Sequence, residues 1–66
     1  MGIIKDTYQV AKIVAIVVGM FNLNAIQETE LKTYVRLQQY QWVEKRKTEQ
    51  EVEEMIKTQA RYISTK

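Results

Sequence analysis

The sequence predicts an all-α protein, and three observations support that prediction. The 66 residues include only two Gly and no Pro, the residues that most often mark turns and hairpins. Apolar side chains recur at helical spacing over most of the chain. Oppositely charged residues stand four apart, as in Glu28–Lys32 and Glu53–Lys57, which stabilises helices. We therefore expect one N-terminal hydrophobic helix followed by one long amphipathic helix.

Two Asn residues mark the expected junction between these helices. The first helix is predicted over about 3–21 and the second over about 25–63. Asn24 is a good N-cap, and Gln27 stands where its side chain can reach back to complete a capping box. A nearly continuous helix is the alternative, because an Asn inside a helix costs less than ~1 kcal/mol.

Segment 1–23 contains most of the single oily run of the chain, Val10–Ile26, and is expected to be a hydrophobic anchor helix. Val10–Ile26 as a helix is roughly 25 Å long, slightly shorter than the ~30 Å hydrocarbon core of a bilayer. Lys12 lies near one end, from which its side chain can reach the headgroups. The same run would also suit a helix buried in protein, whereas a single strand would have no pairing partner. The predicted anchor residues are Ile13, Val14, Ile16, Val17, Val18, Met20 and Phe21.

Segment 24–66 is expected to be an amphipathic, coiled-coil-like packing helix. Most of its apolar residues follow one face at heptad spacing, although Gln38, Lys45, Glu49 and Gln59 interrupt it. Leu37, Tyr40 and Val43 form a second apolar set away from that face. Aromatic side chains are enriched at interface hot spots, so this face is predicted to bind partner subunits. In the alternative, the same aromatics fill a core within the chain. The predicted partner-binding residues are Leu31, Tyr34, Val35, Leu37, Tyr40, Trp42, Val52, Met55, Ile56 and Ile63.

The composition argues against an enzyme. The chain has no His and no Cys, so a nucleophile paired with a base cannot be assembled, and we expect no catalytic residue, cofactor or metal. The net charge is only +2, and the basic run Lys45–Lys47 is followed by several Glu that can pair with it. Nucleic acid is therefore not an expected partner.

Three classes of function remain. The first is a non-enzymatic accessory or structural subunit of a membrane complex, held by the N-terminal helix and docked through the C-terminal helix. The second is a subunit of a helical assembly such as a pilus or a filamentous virion coat, and the third is a soluble helical oligomer or adaptor. The expected partners are protein subunits and membrane lipid. The oily run predicts a location at a membrane. Basic residues are more numerous after this run than before it, which predicts that the C-terminal helix is cytoplasmic.

Overall fold

A computed structural model describes residues 2–65, which form three helices and so confirm the all-α prediction. Helix α1 is Thr7–Phe21, α2 is Ala25–Glu44 and α3 is Glu49–Ser64. Helix α1 packs mainly against α3, less against α2, and α2 also packs against α3. Met1 and Lys66, the outer ends of the two predicted segments, lie outside the described residues.

Helix α1 begins later than the predicted start at residue 3. Asp6 is its N-cap, and the Asp6 carboxylate accepts a hydrogen bond from the Gln9 backbone N–H at 3.0 Å. The preceding residues are paired with the loop before α3 instead. The Ile4 N–H donates to the Lys47 carbonyl at 2.7 Å, and the Gly2 carbonyl accepts from the Glu49 N–H at 3.0 Å. This pairing buries Ile4 and satisfies one free N–H at the start of α3.

The junction of α1 and α2 is where the sequence predicted it. Asn22 follows α1 with φ 51°, a left-handed conformation that Asn tolerates better than most residues. The Asn24 side chain accepts from the Gln27 N–H at 2.8 Å, and the Gln27 side chain accepts from the Asn24 N–H at 3.1 Å. The predicted capping box is therefore confirmed, and the nearly continuous helix is wrong.

A second break, which the sequence analysis did not predict, divides the helix expected over residues 25–63. Arg46 takes a left-handed φ of 55°, and the Lys47 N–H closes a Schellman motif on the Trp42 carbonyl at 2.9 Å. Thr48 then caps α3 by accepting from the Glu51 N–H at 3.1 Å. The chain reverses here because both ends of the break are satisfied locally, which allows α3 to fold back onto α1.

The core lies where the three helices meet, and each helix contributes to it. Fully or almost fully buried apolar side chains are Ile4, Val10, Ile13, Val14, Val17, Leu23, Leu31, Val35, Trp42, Val52, Ile56, Ala60 and Ile63. Burying this set supplies the main driving force for folding.

The expected membrane-anchoring helix is not supported. Within residues 2–65, no helix is both long enough and apolar enough to cross a bilayer. Helix α1 has 15 residues, a length of roughly 22 Å. Its buried side chains, including Ile13, Val14 and Val17, are covered by the other helices of the same chain.

Candidate functional site

The predicted anchor residues divide between two sides of α1. Ile13, Val14 and Val17 are buried in the core, and Val18 and Phe21 are half-buried against it. Ile16 and Met20 remain 52% and 57% exposed. The oily run therefore supplies one face to the core and leaves another face open.

The predicted partner-binding residues are mostly core residues. Six of them are buried inside the chain: Leu31, Val35, Trp42, Val52, Ile56 and Ile63. Tyr34 and Met55 are half-buried, and the rings of Tyr34 and Trp42 meet edge to face with their centroids 6.1 Å apart. Leu37 and Tyr40 are the two predicted residues that stay largely exposed, at 73% and 74%.

Leu37 and Tyr40 belong to a longer exposed row on the outer side of α2. The row, here called the α2 stripe, consists of Ile26, Thr29, Thr33, Leu37 and Tyr40. These positions recur at three- and four-residue spacing, so they share one side of the helix. The hydroxyls of Thr29 and Thr33 donate to carbonyls four residues earlier at 2.9 Å. Their donor groups are therefore satisfied within the helix, and the stripe as a whole is weakly polar.

An acidic group extends the α2 stripe at its C-terminal end. Glu44 stands four residues after Tyr40 and is exposed, and its carboxylate makes no hydrogen bond or ion pair with any residue from 2 to 65. It is also the last residue of α2, and that last turn has no basic residue. A carboxylate at this end of a helix is unfavourable because the helix dipole is negative there, and the basic residues Lys45–Lys47 that follow directly offset part of this cost.

A second exposed surface lies on α1. The α1 face consists of Tyr8, Ala11, Lys12, Ala15, Ile16, Gly19 and Met20, all exposed. Lys12 is its only charged residue, and the Lys12 ammonium has no hydrogen-bond or ion-pair partner among residues 2–65. The predicted anchor does not distinguish this face, because all sides of the oily run are assumed there to be equally apolar. The recurrence of small residues at 11, 15 and 19 was the available signal, since large side chains dominate the buried side.

A groove of about 650 Å³ lies between α1 and α2, and Ala11 and Ala15 at the edge of the α1 face line it. Val10, Val14 and Val35 contribute to its apolar lining, and Lys32 and Arg36 of α2 also line it. Lys32 is paired with Glu28 at 2.7 Å. The groove is therefore apolar inside and charged along the α2 side.

The titratable groups of the described residues serve local helix structure. Two donor groups of Thr48, the backbone N–H and the hydroxyl, bond to the Glu51 carboxylate and lower the pKa of Glu51. A hydrogen bond to Glu53 raises the pKa of Lys57. Among residues 2–65 no three acidic, His or Cys side chains are grouped as a metal site would need. The expectation of no enzymatic activity stays a prediction from the composition.

Comparisons with protein families, with curated proteins and with solved structures found no match to this chain. The fold is a small three-helix bundle with two exposed, weakly polar helix faces. These two faces are the candidate functional surfaces of the chain.

Proposed function

We propose that the chain is a small, non-enzymatic structural or accessory subunit that docks onto a helix of a different protein through the α2 stripe. The supporting observation is the pair Leu37 and Tyr40, which are adjacent on the helix surface and largely exposed. Exposed aromatic and large apolar side chains grouped in this way mark protein-binding surfaces more often than isolated ones do. Of the function expected from the sequence, this proposal keeps the docking through the C-terminal half of the chain. It does not include a helix that spans a bilayer.

The geometry of the stripe suits a partner helix. From Ile26 to Tyr40 it covers 14 residue steps, roughly 21 Å along the α2 axis. Its spacing of three and four residues is the spacing of a ridge that packs against another helix. A partner helix of ordinary length, about 11–12 residues, would cover most of the stripe.

Charge indicates what the partner helix should carry. Glu44 extends the line of the stripe, has no partner among the described residues, and is disfavoured by the dipole of its own helix. A Lys or Arg on the partner would form an ion pair with the Glu44 carboxylate and would also interact favourably with the negative end of the α2 dipole. We therefore expect an amphipathic helix with a basic residue opposite the Glu44 end, as in pairing of helices through flanking charges.

Crosslinking and charge reversal test the proposal together. The chain is expressed in the cells of its source with a photoreactive phenylalanine analogue in place of Tyr40. Illumination should then give a crosslink between the chain and one defined partner protein. The same analogue at Gln50, an exposed position on α3, should not give it. Glu44→Lys should weaken that complex at least tenfold. The isolated chain should stay within about 0.5 kcal/mol of wild type, because the favourable contact of a Lys with this end of the helix is opposed by repulsion from Lys45, Arg46 and Lys47.

Glu54→Lys on α3 is the matched control, with the same change of charge at another exposed Glu. It should leave the crosslink unchanged. If both charge reversals reduce the crosslink equally, or if residues 40 and 50 crosslink the same proteins, then the α2 stripe is not the docking surface. Localisation at a membrane and the cytoplasmic position of the C-terminal helix stay predictions from the sequence.

A further inference from the structure

The α1 face is not used by the fold or by the proposed docking through α2. Ile16 and Met20 are more than half exposed on it, and Tyr8 is 74% exposed. Gly19 has no role that the chain explains, because a Cβ added there would meet nothing within 4 Å. Gly within a helix is less stable than Ala, so the fold alone would favour Ala at this position.

We propose that the α1 face binds the α1 face of a second copy of the chain, with the two helices antiparallel about a twofold axis between Ala15 and Ile16. In this register large side chains face small ones across the interface. The opposed pairs are Ala15 with Ile16, Ala11 with Met20, and Lys12 with Gly19. Each pair occurs twice, because a twofold interface is formed by the same patch on both copies.

A parallel pair lacks this complementarity. It would place each residue opposite its own copy, so that Ile16 would meet Ile16 and the small residues would leave gaps. It would also bring the two Lys12 ammonium groups together in an apolar surface, where like charges repel strongly. The composition of the face therefore selects the antiparallel arrangement.

The position of Lys12 gives an independent reason for a second copy. The last turn of α1 has no basic residue to balance the negative end of its helix dipole. The antiparallel register brings Lys12 to that turn of the partner copy. The unpaired ammonium and the uncompensated helix end are thus complementary.

The size of the face predicts a weak dimer. A 15-residue helix is roughly 22 Å long, and one helix pair of this length buries less than the ~800 Å² per partner of a standard stable interface. We expect monomer–dimer exchange at micromolar or higher concentrations, detectable by sedimentation equilibrium over a dilution series.

Ile16→Lys should weaken this dimer at least tenfold, because each dimer loses two apolar contacts and gains two charges. Leu37→Lys is the matched control. It makes the same kind of change at an exposed apolar residue of α2, and it should leave the dimer unchanged. Circular dichroism should show native helix content in both variants. Loss of the dimer in Leu37→Lys alone would overturn the proposal and assign self-association to α2.

Single-cysteine variants test the register, since the chain has no Cys of its own. Ala15→Cys lies beside the twofold axis and should form an intermolecular disulfide rapidly under mild oxidation. Met20→Cys should not, because residue 20 is opposite residue 11 of the other copy. Equal crosslinking of both variants indicates a parallel pair and refutes the antiparallel register.

Two further outcomes would overturn the proposal. A chain that stays monomeric at all concentrations but floats with vesicles of phosphatidylcholine and phosphatidylglycerol uses the α1 face on a lipid surface. Growth beyond a dimer into long particles would show an open contact rather than a closed twofold pair. Loss of the dimer would leave the docking of the α2 stripe on another protein untouched, because the two surfaces respond to different variants.

Discussion

Two adjacent residues of the oily run should lose very different amounts of stability on the same substitution. Val17 is completely buried and Ile16 is 52% exposed. Val17→Lys removes about 1.5–3 kcal/mol of apolar burial and adds the cost of an unpaired ammonium in the core, several kcal/mol more. A chain of this size has a stability of about 3–10 kcal/mol, so this variant should be largely unfolded. Ile16→Lys loses at most about half of the burial of one side chain, roughly 1 kcal/mol.

Far-UV circular dichroism during urea denaturation measures both effects, at concentrations where the chain is monomeric. We expect a cooperative transition for wild type and for Ile16→Lys, with midpoints that differ slightly. Val17→Lys should show little helical signal without urea. If the two variants lose the same stability, then α1 does not have one buried and one exposed side. Equal release of both variants from membranes would instead favour an anchor whose whole circumference contacts lipid.

Three further outcomes follow from the break between α2 and α3. Thr48→Ala should lower the free energy of unfolding by about 1 kcal/mol in urea titrations, whereas Thr58→Ala, whose hydroxyl bonds only within its own helix, should stay within about 0.5 kcal/mol of wild type. Arg46→Gly should raise the free energy of unfolding by up to ~1 kcal/mol, because relief of left-handed strain exceeds the added chain entropy; an unchanged urea midpoint would contradict this. The pKa of Glu51 is lowered in the folded chain, so its stabilisation should be present above the ordinary pKa of about 4.3 and disappear as pH falls through the lowered pKa. The stability difference between wild type and Glu51→Gln should shrink over that range in acid titrations, and a difference that does not change with pH would refute it.

Local signals account for the junction that the sequence predicted. Asn24 and Gln27 are three residues apart, and their mutual hydrogen bonds need no other part of the chain. A second capping box is formed by Thr48 and Glu51, so the sequence also contained a signal for the start of α3. It was missed because the continuous ion-pair spacing favoured an uninterrupted helix. The turn also lacks the Gly that usually marks a helix end, since Arg46 takes the left-handed position itself.

The residues of the oily run alone do not determine whether it packs against protein or against lipid. A helix that packs against protein and a helix that packs against lipid both need apolar side chains. The deciding contacts come from far along the chain, as when the Gln9 side chain donates to Glu49 at 3.0 Å, 40 residues away. Once α3 folds back, it covers one side of α1 and leaves the side with Ile16 and Met20 open.

Heptad spacing identified a buried stripe correctly but not the chain that covers it. Trp42 is buried as the pattern predicts, yet its neighbours belong to the same bundle. Periodicity along a helix predicts only that one face is buried. It does not predict whether that face packs against the same chain or against another chain. The residues outside that stripe are more informative about partners. Leu37 and Tyr40 depart from the phase of the core, so the fold itself leaves them uncovered.

Exposed large apolar side chains are stronger evidence for a binding surface in a small chain than in a large one. A domain of about 60 residues buries only about 60% of its unfolded surface and is correspondingly marginal. Each large apolar side chain that stays exposed therefore adds no stability that its burial in the core would have supplied. Eight such side chains are exposed among residues 2–65, and most lie on α1 and α2 rather than on α3. Helix α3, which packs against both other helices, has Tyr62 as its exposed large apolar residue. This uneven distribution is expected if α1 and α2 have partners outside the chain and α3 serves the core.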